Sequence, residues 1–445
     1  NLLLITCVGI GFGLLSSCSP DRDESDLDAQ LEKALIQNAD NSGISFYQMP
    51  DESDLDNIPA DPLNPLTPEK IELGKLLYHE PGLGIDPMNP DNMQTYSCAS
   101  CHFAGAGFQA NRVQGIGEGG MGFGINGEGR VNDPNTNTTD LDVQPRRSPT
   151  VLNGAYQDVM LWNGQFGATG VNEGTEYAWT PGTPKEVNNT GFQGLEVQAI
   201  AGLAVHRLDI NDELLDDYGY RALFDAAFPQ VAESERYNRT TTGLAIAAYE
   251  RIVLATQAPF QQWLRGNVTA LTAYQKQGAI LFFDKAQCGS CHTGPALNTM
   301  DFFRIGMSDL NDCPEEIFNS DTPDIDPGRA DFTGRPEDIY KFKVPQLYNL
   351  KDSPFFGHGS SLRSVREVVA YKNAAIPQHP DLSNIPMDER FVPLNLTETE
   401  IDQITDFIEN GLYDPALSRY EPSAVLTGLC FPNADDMSKL DIGCD

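Results

Sequence analysis

The chain has 445 residues, room for two or three domains, with 64 acidic and 29 basic side chains and a formal net charge of −35. That balance argues against nucleic acid as a partner and suits electrostatic steering of a cationic protein. Nine cysteines are too few for a disulfide scaffold in a chain this long, so their spacing has to be read individually.

Residues 2–17 (LLLITCVGIGFGLLSS) are apolar but short for a bilayer span, and they run into Leu15-Ser16-Ser17-Cys18. The stretch reads as a lipoprotein signal over residues 1–18, with Cys18 carrying the lipid and the mature chain held at a membrane of the cell envelope, on the periplasmic side. The alternative is an uncleaved anchor helix. Residues 19–62 are acidic and proline-punctuated and read as a tether, with one amphipathic stretch (Leu27, Leu31, Ala34, Leu35) as a docking helix.

Thr67-Pro68 then supplies an N-cap and a proline at the first helical position, predicting a helix through Tyr78. Its pattern returns later: Gly74, Leu76, Leu77, Tyr78 and Glu80 correspond to Gly278, Ile280, Leu281, Phe282 and Asp284. Each set stands ahead of one five-residue phrase, Cys98-Ala99-Ser100-Cys101-His102 and Cys288-Gly289-Ser290-Cys291-His292. CxxCH is the attachment signal of c-type haem. The thiols form thioethers to the haem vinyl groups, and the histidine ligates the iron. A zinc knuckle does not need a histidine directly after its second cysteine. Cys98, Cys101, Cys288 and Cys291 therefore bind two covalent haem c groups, with His102 and His292 as proximal iron ligands.

The chain is expected to be mainly α, with two cytochrome c-like haem domains at 63–256 and 257–445. Helices are predicted at 195–203, at 241–254, from Ser364 with Glu367 as a capping box, and from Thr397 with Glu400 to Gly411. No segment alternates with period two, and residues 111–145 and 163–193 read as long loops. Among the remaining cysteines Cys7 leaves with the signal, Cys430 pairs most simply with Cys444, and Cys313 stays unassigned.

Several phrases in this order resemble the bacterial di-haem cytochrome c peroxidase family and its MauG-like relatives. They are Asn64-Pro65-Leu66-Thr67, Arg147-Ser148-Pro149-Thr150-Val151-Leu152-Asn153, Leu161-Trp162-Asn163-Gly164, Leu195-Glu196-Val197-Gln198-Ala199, Gly328-Arg329 and Val344-Pro345-Gln346-Leu347. The resemblance implies an N-terminal haem that reacts with hydrogen peroxide and a C-terminal haem that takes electrons from a small cytochrome c or a cupredoxin. It implies Trp162 as an electron relay between them, and Asn153 near a calcium with carbonyls around Ser353 and Pro354. It also implies Gln198 on the peroxide side. The family's second acid–base residue, a glutamate, falls here on Leu208, and the nearest capable side chains are His206 and Asp209. His206 is preferred because an imidazole titrates closest to working pH.

The loop after the first haem, where family members carry a histidine that blocks the resting iron, has none at 111–130 and offers Met121 instead. The first haem is therefore expected to be open or weakly capped. For the sixth ligand of the second haem three residues stay open: Lys372, which falls on the apolar face of its helix with Val365, Val368 and Val369; Tyr371, reached by counting from Pro354; and Met387, with His379 next in line. Three functions follow. The first is a peroxidase reducing hydrogen peroxide to water; the others are a MauG-like oxidase of a protein substrate and a non-catalytic electron-transfer cytochrome.

Overall fold

The computed structural model describes residues 20–317, 325–379, 382 and 385–444, with side chains from residue 26 onward. The signal reading of residues 1–18, including Cys7 and Cys18, lies outside the described residues. Among the described residues eleven α-helices organise the chain. They are α1 Pro20–Asn38, α2 Pro68–His79, α3 Gly194–Val205, α4 Tyr220–Ala227, α5 Arg239–Ile252, α6 Pro259–Leu264, α7 Ala273–Phe283, α8 Ala330–Thr333, α9 Val365–Ala374, α10 Glu398–Asp406 and α11 Asp436–Ile442. Among the described residues the strands are four two-residue pieces, β1 Gly120–Met121 with β2 Val131–Asn132 and β3 Phe302–Phe303 with β4 Phe342–Lys343. The mainly α expectation holds. No helix among the described residues is long and apolar enough to cross a membrane.

The predicted helix starts are present because their caps are. Thr67 accepts the Lys70 N–H, Thr397 and Glu400 close a capping box, and Ser364 accepts the Glu367 N–H. Glu367 does not return the bond to Ser364; its carboxylate accepts the Arg363 N–H instead.

The repeated glycine explains how the sequence pattern becomes packing. A Cβ at Gly74 would stand 1.9 Å from the Ala245 carbonyl oxygen, and one at Gly278 would stand 2.0 Å from that of Gln403. Helix α2 therefore crosses α5 backbone to backbone, and α7 crosses α10 in the same way, each ahead of its CxxCH turn. A residue with any side chain would prise each pair apart.

Both chain ends cross between these halves. The docking helix expected in the acidic stretch is α1, with Leu31, Ala34 and Leu35 buried, and the part read as a tether is packed as well, with Tyr47, Met49 and Ile58 buried, so the segment carries enough apolar surface to fold onto the body. It lies against the second half, where Asp28 pairs with Lys276 at 2.8 Å and Gln261 bridges the Tyr47 carbonyl and the Met49 N–H. The C-terminal tail returns to the first half. Its Pro432 carbonyl accepts from Ser97 and Ser100, Thr427 bonds Glu80, and Cys430 is disulfide-bonded to Cys444 as expected. Cys313 is a buried free thiol beside Arg363 and Glu315.

Candidate active site

Both haem phrases form a single 3-10 turn, Cys98–Ser100 and Cys288–Ser290, and their four cysteines are free and half-buried while the tail cysteines are paired. The residues fit covalent haem on several counts. Burial pushes His102 and His292 down to about 4, which keeps both imidazoles neutral, the form that binds a metal. His292 directs Nδ1 at the Leu297 carbonyl, 3.0 Å away, which reserves Nε2 for iron. His102 Nδ1 is buried without a protein partner. The loop after the first phrase comes so close that a Cβ at Gly115 would lie 2.6 Å from Cys101 Sγ.

Helix α3 and its C-cap carry Gln198 and His206, the residues expected on the peroxide side. Gln198, Gly202 and His206 follow one another at i, i+4 and i+8, so they share a face, and a Cβ at Gly202 would touch Gln198 Nε2 at 3.3 Å and His206 Cδ2 at 3.8 Å. The Gln198 carboxamide oxygen is buried and unpartnered. His206 is near enough to His102 for its charge to help depress that imidazole. Asp209, the other side chain considered for this role, is committed to Arg239 and to the Ile210 N–H.

The long loop 111–145 is held at several points that its irregular sequence did not announce. Arg130, buried, donates to the Ile116 and Gly117 carbonyls and pairs with Asp435 of the tail at 3.3 Å. Asp435 and Asp441 accept the Gly122, Phe123 and Gly124 N–H groups. Met121, expected as a weak cap, is built into β1 opposite Val131.

Around the second phrase lies a cavity of about 230 Å³. Cys291, His292, Trp162, Lys343, His358 and Lys372 are on its wall. Of the three sixth-ligand residues only Lys372 reaches it. The Tyr371 hydroxyl donates to the Ile305 carbonyl, and Met387 packs against Gly306 outside the cavity wall. Burial lowers the Lys372 pKa, which favours the neutral amine that could bind a metal. His379, also on the wall, shares Asp309 with His358.

Trp162, expected as a relay, lies on the wall of this second cavity. Its indole N–H donates to the Arg147 carbonyl at 2.9 Å, the Arg147 N–H donates to the His358 carbonyl, and the Trp162 and His358 rings meet edge to face. Lys343, which the sequence did not single out, is buried on the same wall; burial pushes its pKa down to about 7, and its ammonium donates to Gln157 and to the Val159 carbonyl at 2.7 Å.

Asn153, expected near a calcium, has its oxygen accepting the Ala255 N–H at 2.9 Å and its nitrogen donating to Gln346 at 3.2 Å. The Ser353 hydroxyl accepts from Arg147.

A profile of the di-haem cytochrome c peroxidase family matches residues 68–269. The chain is 28% identical over 386 residues to a cytochrome-c peroxidase of Denitromonas iodatirespirans, covering 82% of this chain and 85% of that one. It is 26% identical over 361 residues to the methylamine utilization protein MauG of Methylorubrum extorquens, covering 81% and 83%. Its fold is similar to that of a crystallised MauG-like protein associated with microbial copper homeostasis, with a TM-score of 0.55 at 22% identity over 83% of this chain and 94% of that one. Two haem-attachment turns on duplicated helix pairs and these matches together make the chain similar to the di-haem cytochrome c peroxidase family, whose profile covers residues 68–269, and point to an oxidoreductase of the cytochrome-c peroxidase type.

Proposed function

We propose that the protein reduces hydrogen peroxide to water with electrons from a small cytochrome c or cupredoxin, received at the C-terminal haem domain (257–445) and passed through Trp162 to the N-terminal one (63–256). The balance is H2O2 with two electrons and two protons giving two waters. The observation that carries the reading is the α3 face, where Gln198 and His206 flank Gly202 and His206 lies within electrostatic reach of His102. Bound haem c supplies the ferric iron that takes up peroxide and the redox equivalents. The chain supplies the rest. His206 moves a proton from one peroxide oxygen to the other, which general acid–base groups accelerate by about 10²–10⁴. Gln198 orients the peroxide through its buried amide. Trp162 sits between the second cavity and the Arg147–His358 backbone contact, and Lys343 places a donor on the cavity wall.

Lys372 favours a second reading. A lysine ligand, unlike a methionine, lowers the potential of the second haem, and a low potential suits storing two oxidising equivalents across both haems to oxidise a protein substrate, as a MauG-like oxidase would. A purely electron-transferring cytochrome would show no high-spin ferric signal and no reaction with peroxide. Because loop 111–130 carries no histidine, the ferric first haem should bind cyanide without prior reduction. The site of action is the periplasmic face of the cell envelope, with Cys18 as lipid anchor. The deciding experiment is steady-state peroxide reduction with a panel of reduced donor proteins. Rapid turnover with one of them supports the peroxidase, whereas a single turnover that leaves an oxidised protein residue supports the oxidase.

A further inference from the structure

His206 is not alone on the peroxide side. Its Nδ1 lies 2.8 Å from Asp142 Oδ2, and Asp142 is buried. The loop is built to bring this carboxylate in. The Asp142 N–H donates to the Glu118 carbonyl at 3.0 Å, its carbonyl accepts the Gly117 N–H at 2.9 Å, and a Cβ at residue 117 would lie 2.2 Å from Asp142 Oδ2. Glycine at 117 is therefore required for the carboxylate to reach its place. The adjacent rung is fastened as well, since Glu118 holds Arg207 and accepts the Asn89 N–H. Two neighbouring residues of the loop thus grip two neighbouring residues at the end of α3.

We propose that Asp142 is the positioning residue of the peroxide-side acid–base group: it holds His206 as the Nδ1–H tautomer, so that Nε2 is the nitrogen that takes a proton from one peroxide oxygen and returns it to the other. The proposal rests on the reading of His206 as that group. A carboxylate behind an imidazole does two things at once, fixing the ring's orientation and stabilising the imidazolium formed in mid-reaction. The family's glutamate is thereby replaced by a two-residue unit, with the acid in a loop far away in sequence. The charged and titratable groups around His206 are Asp142 from the loop, Arg207 with Glu118 behind it, and His102 of the haem phrase. Burial pushes the His206 pKa down, but the charge and hydrogen bond of Asp142 outweigh it and leave it raised.

The test uses the holoprotein in three forms: unaltered, Asp142→Asn and His206→Gln. Two quantities are read, kcat/KM for peroxide as a function of pH and the midpoint of His206 C2–H deuterium exchange followed by mass spectrometry. Asp142→Asn should lower kcat/KM by about ten- to a hundredfold, as loss of such a supporting partner does. It should also move both the rising limb of the pH profile and the exchange midpoint to lower pH, because the imidazolium loses its counter-charge. The visible spectrum of the second haem should not change. Where Asp142→Asn costs the first haem its spectrum, Asp142→Glu retains a carboxylate and should keep the raised midpoint. An unshifted midpoint and profile in Asp142→Asn, beside a slowed His206→Gln, would overturn the positioning role alone. Full activity in His206→Gln would overturn the underlying reading and the proposal with it.

Discussion

Lys372 and His292 line one cavity, and they are close enough that the charge of Lys372 helps push the imidazole toward its neutral form. Tyr371 and Met387 do not line that cavity. Lys372→Met should therefore raise the potential of the second haem by on the order of 0.1 V, within the ~0.8 V span that axial ligands command. The near-infrared ligand-to-metal band should move with it, and Tyr371→Phe and Met387→Leu should leave both where they are. A redox titration checks all three variants.

Trp162→Phe keeps an aromatic ring but deletes the indole N–H that reaches the Arg147 carbonyl at 2.9 Å. Both haems and the fold should survive, because one neutral hydrogen bond contributes only about 1 kcal/mol. Electron delivery from the second haem to the oxidised first haem should slow several-fold in stopped-flow traces. Unchanged traces would return Trp162 to a packing role.

Gly74→Ala and Gly278→Ala each insert a methyl group where a carbonyl oxygen stands about 2 Å away, at Ala245 and Gln403. Overpacking of this kind costs about 1–3 kcal/mol, and more if the helices cannot separate. Thermal unfolding should begin several degrees earlier in both variants. Gly74→Ala should disturb the spectrum of the first haem and Gly278→Ala that of the second, since each crossing braces its own haem turn.

Asp326 and Arg146 form a buried pair with oxygen–nitrogen distances of 2.5 and 2.7 Å. Burial pushes the Asp326 carboxyl up, but the hydrogen bonds and charge of Arg146 outweigh it and hold its pKa below the ordinary value. A carboxylate with a depressed folded-state pKa gives stability that is fully present above its unfolded pKa, near 4, and lost as pH falls through the folded pKa. Asp326→Asn should destabilise the protein by about 1.5–3 kcal/mol at neutral pH, the scale of a hydrogen bond to a charged group, because Arg146 keeps only its longer contact with Asp331 at 3.4 Å. It should also flatten the loss of stability on acidification below about pH 4. Urea unfolding at several pH values measures both.

Much of this molecule is legible in the sequence because its signals are local. The CxxCH phrases, the Thr67-Pro68 and Thr397 starts and the repeated glycines of α2 and α7 each fit within a few residues, and the helix starts and glycine crossings stand where their patterns put them. Pairing of Cys430 with Cys444 was equally local. What could not be read depends on contacts across long stretches of chain. Asp142 sits in a loop with no periodicity, and nothing near it in sequence points to His206. The burial of Lys343 and the grip of the tail on Arg130 arise only once distant segments meet. In the segment 19–62 the docking helix was legible from its stripe of Leu31, Ala34 and Leu35, whereas the packing of Tyr47, Met49 and Ile58 beyond it, in a stretch whose charge and prolines mark a tether, was not.

The account stands most directly on peroxide turnover that needs the α3 face. With a reduced small cytochrome c or cupredoxin as donor, the unaltered holoprotein should consume peroxide and donor in a ratio of one to two. Gln198→Ala together with His206→Gln should lower kcat/KM for peroxide by about 10²-fold or more while the second haem is still reduced by donor at its normal rate. Equal peroxide turnover in the unaltered and doubly substituted proteins would contradict it.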